Sequence, residues 1–313
     1  MIKIHCVLGV DGGGTKTQAV LVAPDGSVIS ESVSGASNPQ VVGVKQSAEV
    51  VFSLIKECSI NANLPMSNIQ TIVIGLAGTG RISDKSVFIE EFTNLSRKQD
   101  VYFNNVLIET DARVALEGAF ASSYGIVLIA GTGSIALGKS EDGKIYRTGG
   151  WGRILGDEGS GFSIGRKALN LAIRSFEGRL EKTKLLKLAL EHFNASSVDD
   201  LVTKVYQENA DISSFVVKVI QAENEFDHIA HNLLFSQSNE LAELVRVLVN
   251  QISMRKKIPV ALMGGLLETE NVYSKMVKER VSRSLPQIII QKPKFPPAFG
   301  AAILGMKAFD FFR

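Results

Sequence analysis

One supersecondary pattern, present twice, limits what this chain can fold into. From Ile4 to Val10 the sequence is apolar and rich in Val and Ile, and it then meets Gly12, Gly13 and Gly14, followed by Thr15, Lys16 and Thr17. A second apolar run covers Gln18 to Ala23, and Pro24-Asp25-Gly26 leads into a third over Ser27 to Ser34. Asp-Gly between apolar runs is a strong signal for a tight hairpin turn, so the segment predicts an antiparallel meander. Ile126 to Arg147, IVLIAGTGSIALGKSEDGKIYR, repeats the order. Ile126 to Ala130 is apolar, Gly131-Thr132-Gly133-Ser134 is a glycine-hydroxyl turn, Ile135 to Lys139 runs on, and Asp142-Gly143 turns into Lys144 to Arg147. The unit occurs twice in a 313-residue chain, which is too long for one small core and predicts two domains.

Three adjacent glycines weaken a regular element, because each loses more backbone freedom on folding than another residue would. Their use is to let something approach the main chain. A glycine turn presents several N–H groups with little side-chain bulk, and such nests bind anions. Thr15, Thr17, Thr132 and Ser134 add hydroxyl donors and Lys16 adds charge, so two such hairpins suit a polyphosphate gripped from both sides. Two familiar phosphate motifs are decoys. Gly133 to Ser140, GSIALGKS, fits the Walker A expression, and Gly131 to Ala136 fits a dinucleotide pattern. Both mechanisms need a helix after the loop, whereas here a turn and another strand follow.

Elsewhere, apolar spacing predicts a helix over 41–58, a strand over 71–74 ending in GLAGTGR, a helix capped by Ser83, a strand over 105–108 and a helix over 111–120. The first domain is therefore a mixed α/β sheet. After Gly149 helices dominate, at about 161–176, 181–193, 198–208, 212–221, 225–252 and 271–284. Strands at 259–263 and 287–291 interrupt them, and Pro296-Pro297 opens a last helix. Net charge is +2 with no basic cluster, which points away from nucleic acid and from a membrane surface. No uncharged apolar run is long enough for a membrane helix, and the N-terminus makes a poor signal peptide. Two cysteines, Cys6 and Cys58, make no disulfide framework and suit a reducing, cytoplasmic compartment.

Six stretches in order now carry a family resemblance: DGGGTKT (Asp11 to Thr17), ETDARVALEGA (Glu109 to Ala119), IAGTGS (Ile129 to Ser134), GGWGRILGDEGS (Gly149 to Ser160), ALMGGLLE (Ala261 to Glu268) and PPAFGAA (Pro296 to Ala302). They resemble the N-acetylglucosamine kinase family (BadF/BadG-type ATPases), within the superfamily of actin, heat-shock chaperone ATPases and hexokinases. The resemblance implies an α/β fold of two actin-like, ribonuclease H-like domains with duplicated β-hairpin phosphate loops, and ATP and sugar in the cleft between them. Domain limits of 1–117 and 118–297 follow, with a C-terminal helix, 298–313, packing back on the first domain. It implies ATP and Mg²⁺ as cofactors, an amino sugar as substrate, and a homodimer.

The resemblance also assigns roles residue by residue. Asp111 follows a strand and precedes a helix; that is an N-cap position, and equally the C-terminal edge of a sheet strand, where clefts form. The family makes it the base that takes a proton from a sugar hydroxyl. Asp11 is a turn residue or, by the family, holds Mg²⁺ through water. Gly13, Gly14, Thr15, Lys16 and Thr17 in the first turn, and Gly131, Thr132 and Gly133 in the second, are the phosphate contacts. Gly264 and Gly265 resemble the turn that packs against adenosine, though an ordinary strand-to-helix loop also fits. Asn38, a turn residue before proline, matches a sugar-loop position. So do Ser134, Ile135, Gly150, Trp151, Gly152 and Asp157. Trp151, the only tryptophan, reads alternatively as a core plug.

Two other classes share these hairpins. One is the ATPase that activates 2-hydroxyacyl-CoA dehydratases, whose iron–sulfur cluster needs cysteines that Cys6 and Cys58 do not supply as a pair. The other is a non-catalytic sugar sensor. Within the kinase reading, N-acetylglucosamine phosphorylated at its 6-hydroxyl comes first, with N-acetylmuramate and glucosamine as alternatives.

Overall fold

Each glycine turn joins the first two strands of its own five-stranded sheet. The computed structural model describes residues 5–252 and 256–308. The meander comes first: β1 (Cys6–Gly12), β2 (Thr17–Val22) and β3 (Val28–Ser34). The predicted strand start at Ile4 lies outside the described residues. There follow α1 (Pro39–Val42), α2 (Val44–Asn61), β4 (Ile69–Leu76), α3 (Ile82–Lys98), β5 (Asn105–Thr110) and α4 (Asp111–Phe120). The second meander is β6 (Gly125–Ala130), β7 (Ser134–Lys139) and β8 (Ile145–Gly149). Then come α5 (Gly161–Phe176), α6 (Leu185–His192), α7 (Val198–Tyr206), α8 (Val216–Asn224), α9 (His228–Ile252), β9 (Ile258–Met263), α10 (Gly265–Glu268), α11 (Val272–Ser284), β10 (Ile288–Ile290) and α12 (Pro297–Ala308).

The two sheets share one topology. The first has the order β3-β2-β1-β4-β5 and the second β8-β7-β6-β9-β10. In each, the central strand pairs antiparallel with its hairpin partner and parallel with the strand beyond. Parallel neighbours need long crossovers. Here α2 carries the chain from β3 to β4 and α3 from β4 to β5, while in the second sheet α5 to α9 all lie within the β8-to-β9 crossover. GSIALGKS sits on β7 and the turn after it, with β8 next, so no helix N-terminus follows the motif.

The chain divides into two compact units: residues up to Ser123 together with Lys292 onward, and Tyr124–Gln291. The expected limits, 117/118 and 297/298, fall within α4 and at the first residue of α12. Helix α4 runs on to Phe120 and ends on Ala121 in the left-handed conformation. The returning chain is tied to it there, with Lys294 N–H donating to the Ala119 carbonyl (3.0 Å) and Phe295 N–H to that of Gly118 (3.1 Å). Of the helix predicted at 298–313, the part through Ala308 is described and residues 309–313 lie outside the described residues.

In the first unit β1 is buried on both faces, which is why it reads as an unbroken apolar run. Leu8 and Val10 face Leu54, Ile55, Phe88 and Phe92 of α2 and α3. Val7, on the opposite face, packs with Ala298, Ala302 and Met306 of α12. The second unit has one large core, in which β6 and β9 pack with α5, α9 and α11.

Several predicted helix ends move for local reasons. Ser83 is not a cap: α3 opens at Ile82, and Arg81 and Asp84 close its first turn, with Arg81 Nε 2.9 Å from Asp84 Oδ2. The helix predicted from 181 starts at Leu185, because the Asp227 carboxylate accepts from Thr183 Oγ1 and Lys184 N–H, both at 2.7 Å, and holds the chain before it. The same Asp227 accepts from Ile229 and Ala230 N–H and so begins α9, three residues later than the predicted start at 225. The helix predicted at 212–221 is a 3₁₀ turn, Ile212–Phe215, running into α8.

Candidate functional site

In the first unit the predicted residues gather at the C-terminal ends of β1, β4 and β5, the edge at which open α/β sheets bind ligands. Register puts Asp11 beside Gly75 and Gly75 beside Glu109. Asp111 lies two residues past Glu109. Asp11 and the end of β5 are thus two strand spacings apart, about 10 Å. The approach of α4 to this edge depends on Gly75, where a Cβ would meet the Val114 side chain, 2.9 Å from Cγ1.

The capping question at Asp111 is settled by its neighbour. Thr110 is the N-cap, its hydroxyl oxygen accepting from Arg113 N–H (3.2 Å), and Asp111 is the first residue inside the helix. Its carboxylate therefore is not the cap, and at that position a negative charge also gains from the helix dipole.

The first glycine turn is partly closed by its own hydrogen bonds. Gly13 N–H donates to the Lys16 carbonyl (2.9 Å), and the Gly13 carbonyl accepts from Ser37 and Asn38 N–H (3.1 and 3.0 Å). Gly13 is therefore spent on shaping the turn, and the exposed tip is Gly14, Thr15 and Lys16. Thr17 is held within the loop as well. Its hydroxyl is fully buried and sits 2.7 Å from both the Gly35 carbonyl and Ser37 Oγ. Its work is to pin the loop that carries Asn38. Asn38 itself caps α1, its Oδ1 accepting from Gln40 N–H (2.9 Å), and Gln40 Nε2 reaches the Gly78 carbonyl (3.0 Å). Reasoning from sequence overlooked Ser37, Thr79 and the Lys85–Glu109 ion pair (3.0 Å), which brace this edge.

In the second unit the predicted residues also share one edge. The turn after β6 is braced from behind: Gly161 and Phe162 N–H, at the start of α5, donate to the Gly131 and Thr132 carbonyls (2.8 and 3.2 Å). Thr132 is exposed at its tip. Gly264 lies against the base of this turn, where a Cβ would come 2.5 Å from the Ala130 carbonyl oxygen, and with φ +88° it begins α10. Gly265 next to it is open.

Asp157 joins this turn to the 149–160 loop. Its backbone is left-handed (φ +59°), and its carboxylate accepts from Ser134 and Gly152 N–H. Burial pushes its pKa up despite those bonds. Gly133 must be small, since a Cβ there would lie 2.9 Å from Asp157 Oδ2. The Ser134 hydroxyl is buried and donates to the Glu158 carbonyl (2.7 Å). Ile135 packs under Gly150. Trp151 is 66% exposed and no core plug. The Arg147 guanidinium lies over its ring, 4.3 Å from the centroid, and bonds to the Gly149 and Gly150 carbonyls. An exposed indole and a half-buried carboxylate on one loop suit a polyol ring.

Both cysteine thiols lie in the core of the first unit, on β1 and α2. Burial raises the pKa of each.

Sequence comparison finds an N-acetylmuramic acid/N-acetylglucosamine kinase of Clostridium acetobutylicum, 32% identical over 308 residues, covering 97% of this chain and 99% of that protein. An N-acetyl-D-glucosamine kinase of Dictyostelium discoideum is 28% identical over 318 residues, covering 96% and 98%. Among solved structures, a Chromobacterium violaceum protein provisionally described as an N-acetylglucosamine kinase superposes with a TM-score of 0.75 at 25% identity, covering 96% of this chain and 99% of that one. A hexokinase of Thermus thermophilus shares the fold, with a TM-score of 0.57 at 14% identity. With a family match spanning residues 8–305, the chain belongs to the BadF/BadG/BcrA/BcrD ATPase family.

Proposed function

We propose that this chain is an ATP-dependent amino-sugar kinase and that N-acetylglucosamine, phosphorylated on its 6-hydroxyl, is its substrate. The observation that carries the reading is the pair of carboxylates on one sheet edge, Asp11 at the end of β1 and Asp111 past the end of β5, with Thr110 relieving Asp111 of capping. Phosphoryl transfer asks for positioning and charge stabilisation, with one group to orient the attacking hydroxyl. Asp111 takes that hydroxyl's proton. Asp11 holds Mg²⁺ through water, in keeping with the ion's preference for few carboxylates and several waters. Gly14, Thr15 and Lys16 offer exposed donors and one positive charge to the phosphates, as does Thr132 in the second unit. Gly264 and Gly265 meet the adenosine. Asp157 accepts from sugar hydroxyls, and Gly150, Trp151 and Gly152 line the ring, with Asn38 contributing from its loop. The nucleotide would supply the electrophilic phosphorus and the metal would offset the charge on its oxygens; the protein supplies the geometry.

The two full-length relatives support the substrate class. N-Acetylmuramate is a second substrate by this reading, because the Arg147 guanidinium beside Trp151 gives a lactyl carboxylate a cation. No helix among the described residues is long and apolar enough to cross a membrane, and a cytoplasmic homodimer is part of the proposal. The deciding experiment is an ADP-release assay over N-acetylglucosamine, N-acetylmuramate, glucosamine and glucose with Mg²⁺ and ATP. Turnover on an acetylated amino sugar is the expected result; ADP release that no sugar stimulates would overturn it.

A further inference from the structure

Behind the 149–160 loop lies a buried polar cluster that the chemistry above does not use. Gln237, in the middle of α9, is fully buried, and its Oε1 accepts from Gly159 N–H (3.1 Å) and Ser163 Oγ (2.8 Å). Tyr273, on α11 and also fully buried, donates its hydroxyl to the Gly159 carbonyl (2.8 Å). Both backbone groups of one glycine are thus held by side chains 78 and 114 residues away in sequence. Gly159 has φ +76°, and a Cβ there would lie 2.6 Å from Leu241 Cδ2, so the main chain is pressed directly onto α9.

This arrangement costs stability. Among the described residues Gln237 Nε2 has no partner, although it is buried, and an unsatisfied buried donor keeps its full desolvation penalty. An apolar side chain of similar volume would fill the same space without that cost. The amide is explained if its oxygen is needed at Gly159. From there the constraint passes outward through bonded atoms. Two residues back, the Asp157 carboxylate holds Gly152 N–H, and Gly156 N–H donates to the Gly152 carbonyl (2.9 Å), fixing the residue next to Trp151.

We propose that Gln237 and Tyr273 are positioning residues that clamp Gly159 and thereby set Asp157 and Trp151 for sugar binding. The inference rests on the reading of the 149–160 loop as the sugar loop. It neither needs nor predicts contact between the clamp and the ligand.

Trp151 is the only tryptophan, so its emission reports on this loop alone. The experiment compares wild type with Gln237→Met, which keeps volume and removes the acceptor, and Tyr273→Phe, which removes one hydroxyl and keeps the ring should the first variant not fold. N-Acetylglucosamine is titrated against Trp151 emission without nucleotide, and kcat and KM are measured in parallel. Kd and KM for the sugar are expected to rise together, about tenfold in Gln237→Met, while kcat at saturating sugar changes less than about threefold. A folded variant with wild-type Kd and KM would overturn the clamp, as would a loss confined to kcat. If wild type neither binds nor phosphorylates any amino sugar, the functional reading fails separately. The clamp is then decided by the anisotropy decay of Trp151 in the ligand-free proteins. Faster local depolarisation in the variants supports it, and identical decays overturn it.

Discussion

At the scale of single residues, Asp111 and Asp157 are two carboxylates with different tasks. Asp111 stands one residue inside α4, and its proposed role touches only the proton that leaves the sugar hydroxyl. Asp111→Asn keeps size and position, so sugar and nucleotide KM should stay within about threefold while kcat falls at least ~10²-fold. A steady-state comparison of the two proteins checks this, and a near wild-type kcat removes Asp111 from the reaction. Asp157 must be ionised to accept from sugar hydroxyls as well as from Ser134 and Gly152 N–H. Burial raises its pKa, so protonation on acidification sets in at higher pH than for an exposed carboxylate, and sugar affinity is lost as pH falls through that raised value. The acid limb of kcat/KM for the sugar should therefore lie above about pH 4, the ordinary carboxylate range. In Asp157→Asn the affinity should be weak and flat across the same limb. A limb that survives the substitution unchanged belongs to another group.

At the scale of elements, what could be read from sequence was what short-range chemistry decides. Both meanders, their Asp-Gly turns and the edge-of-strand position of Asp111 are consequences of residues a few places apart. Reasoning of that kind stops where bonding partners are distant. Nothing near Thr17 says that its hydroxyl is consumed by Gly35 and Ser37, and nothing near Gly159 points to α9 or α11. Thr110 and Asp111 are both good caps, so only the observed bond from Arg113 N–H chooses between them. Asp227 is a similar case, since it closes two elements at once. Its pKa is lowered: burial alone would raise it, and the bonds from Thr183, Lys184, Ala230 and Ile229 outweigh burial. A carboxylate with a depressed folded-state pKa contributes stability that is present above its unfolded value, about 3.9, and is lost as pH falls through the folded value. Asp227→Ala should cost about 1–2 kcal/mol at pH 7 through the lost cap. The difference from wild type in thermal melts should narrow below about pH 4. A gap that is constant with pH would mean that shape, not charge, is what Asp227 contributes.

At the scale of the whole molecule, the two units repeat one sheet topology but are not built alike from the chain. The unit Tyr124–Gln291 is a continuous segment with its own large core. The other unit is discontinuous, and its returning piece is not ornamental. Helix α12 covers the face of β1 that α2 and α3 leave open, packing Ala298, Ala302 and Met306 on Val7, Val20 and Val22. It also meets α4 so closely that a Cβ at Gly300 would be 2.5 Å from the Gly118 nitrogen. Without α12 those strand residues, now almost fully buried, would face water, at a cost of roughly 1.5–3 kcal/mol for each large apolar side chain exposed. The three valines together then cost an amount comparable to the whole margin of about 5–15 kcal/mol for a typical domain. Expressed alone, residues 124–291 should therefore unfold in a single cooperative thermal transition. Residues 1–123 alone should lack one, and 1–123 joined by a short flexible linker to 292–313 should recover it. Calorimetry on the three fragments distinguishes the outcomes. A cooperative melt for 1–123 without α12 would show that the α2–α3 face suffices to hold the first sheet, and covering β1 would then not be why the chain returns to this unit.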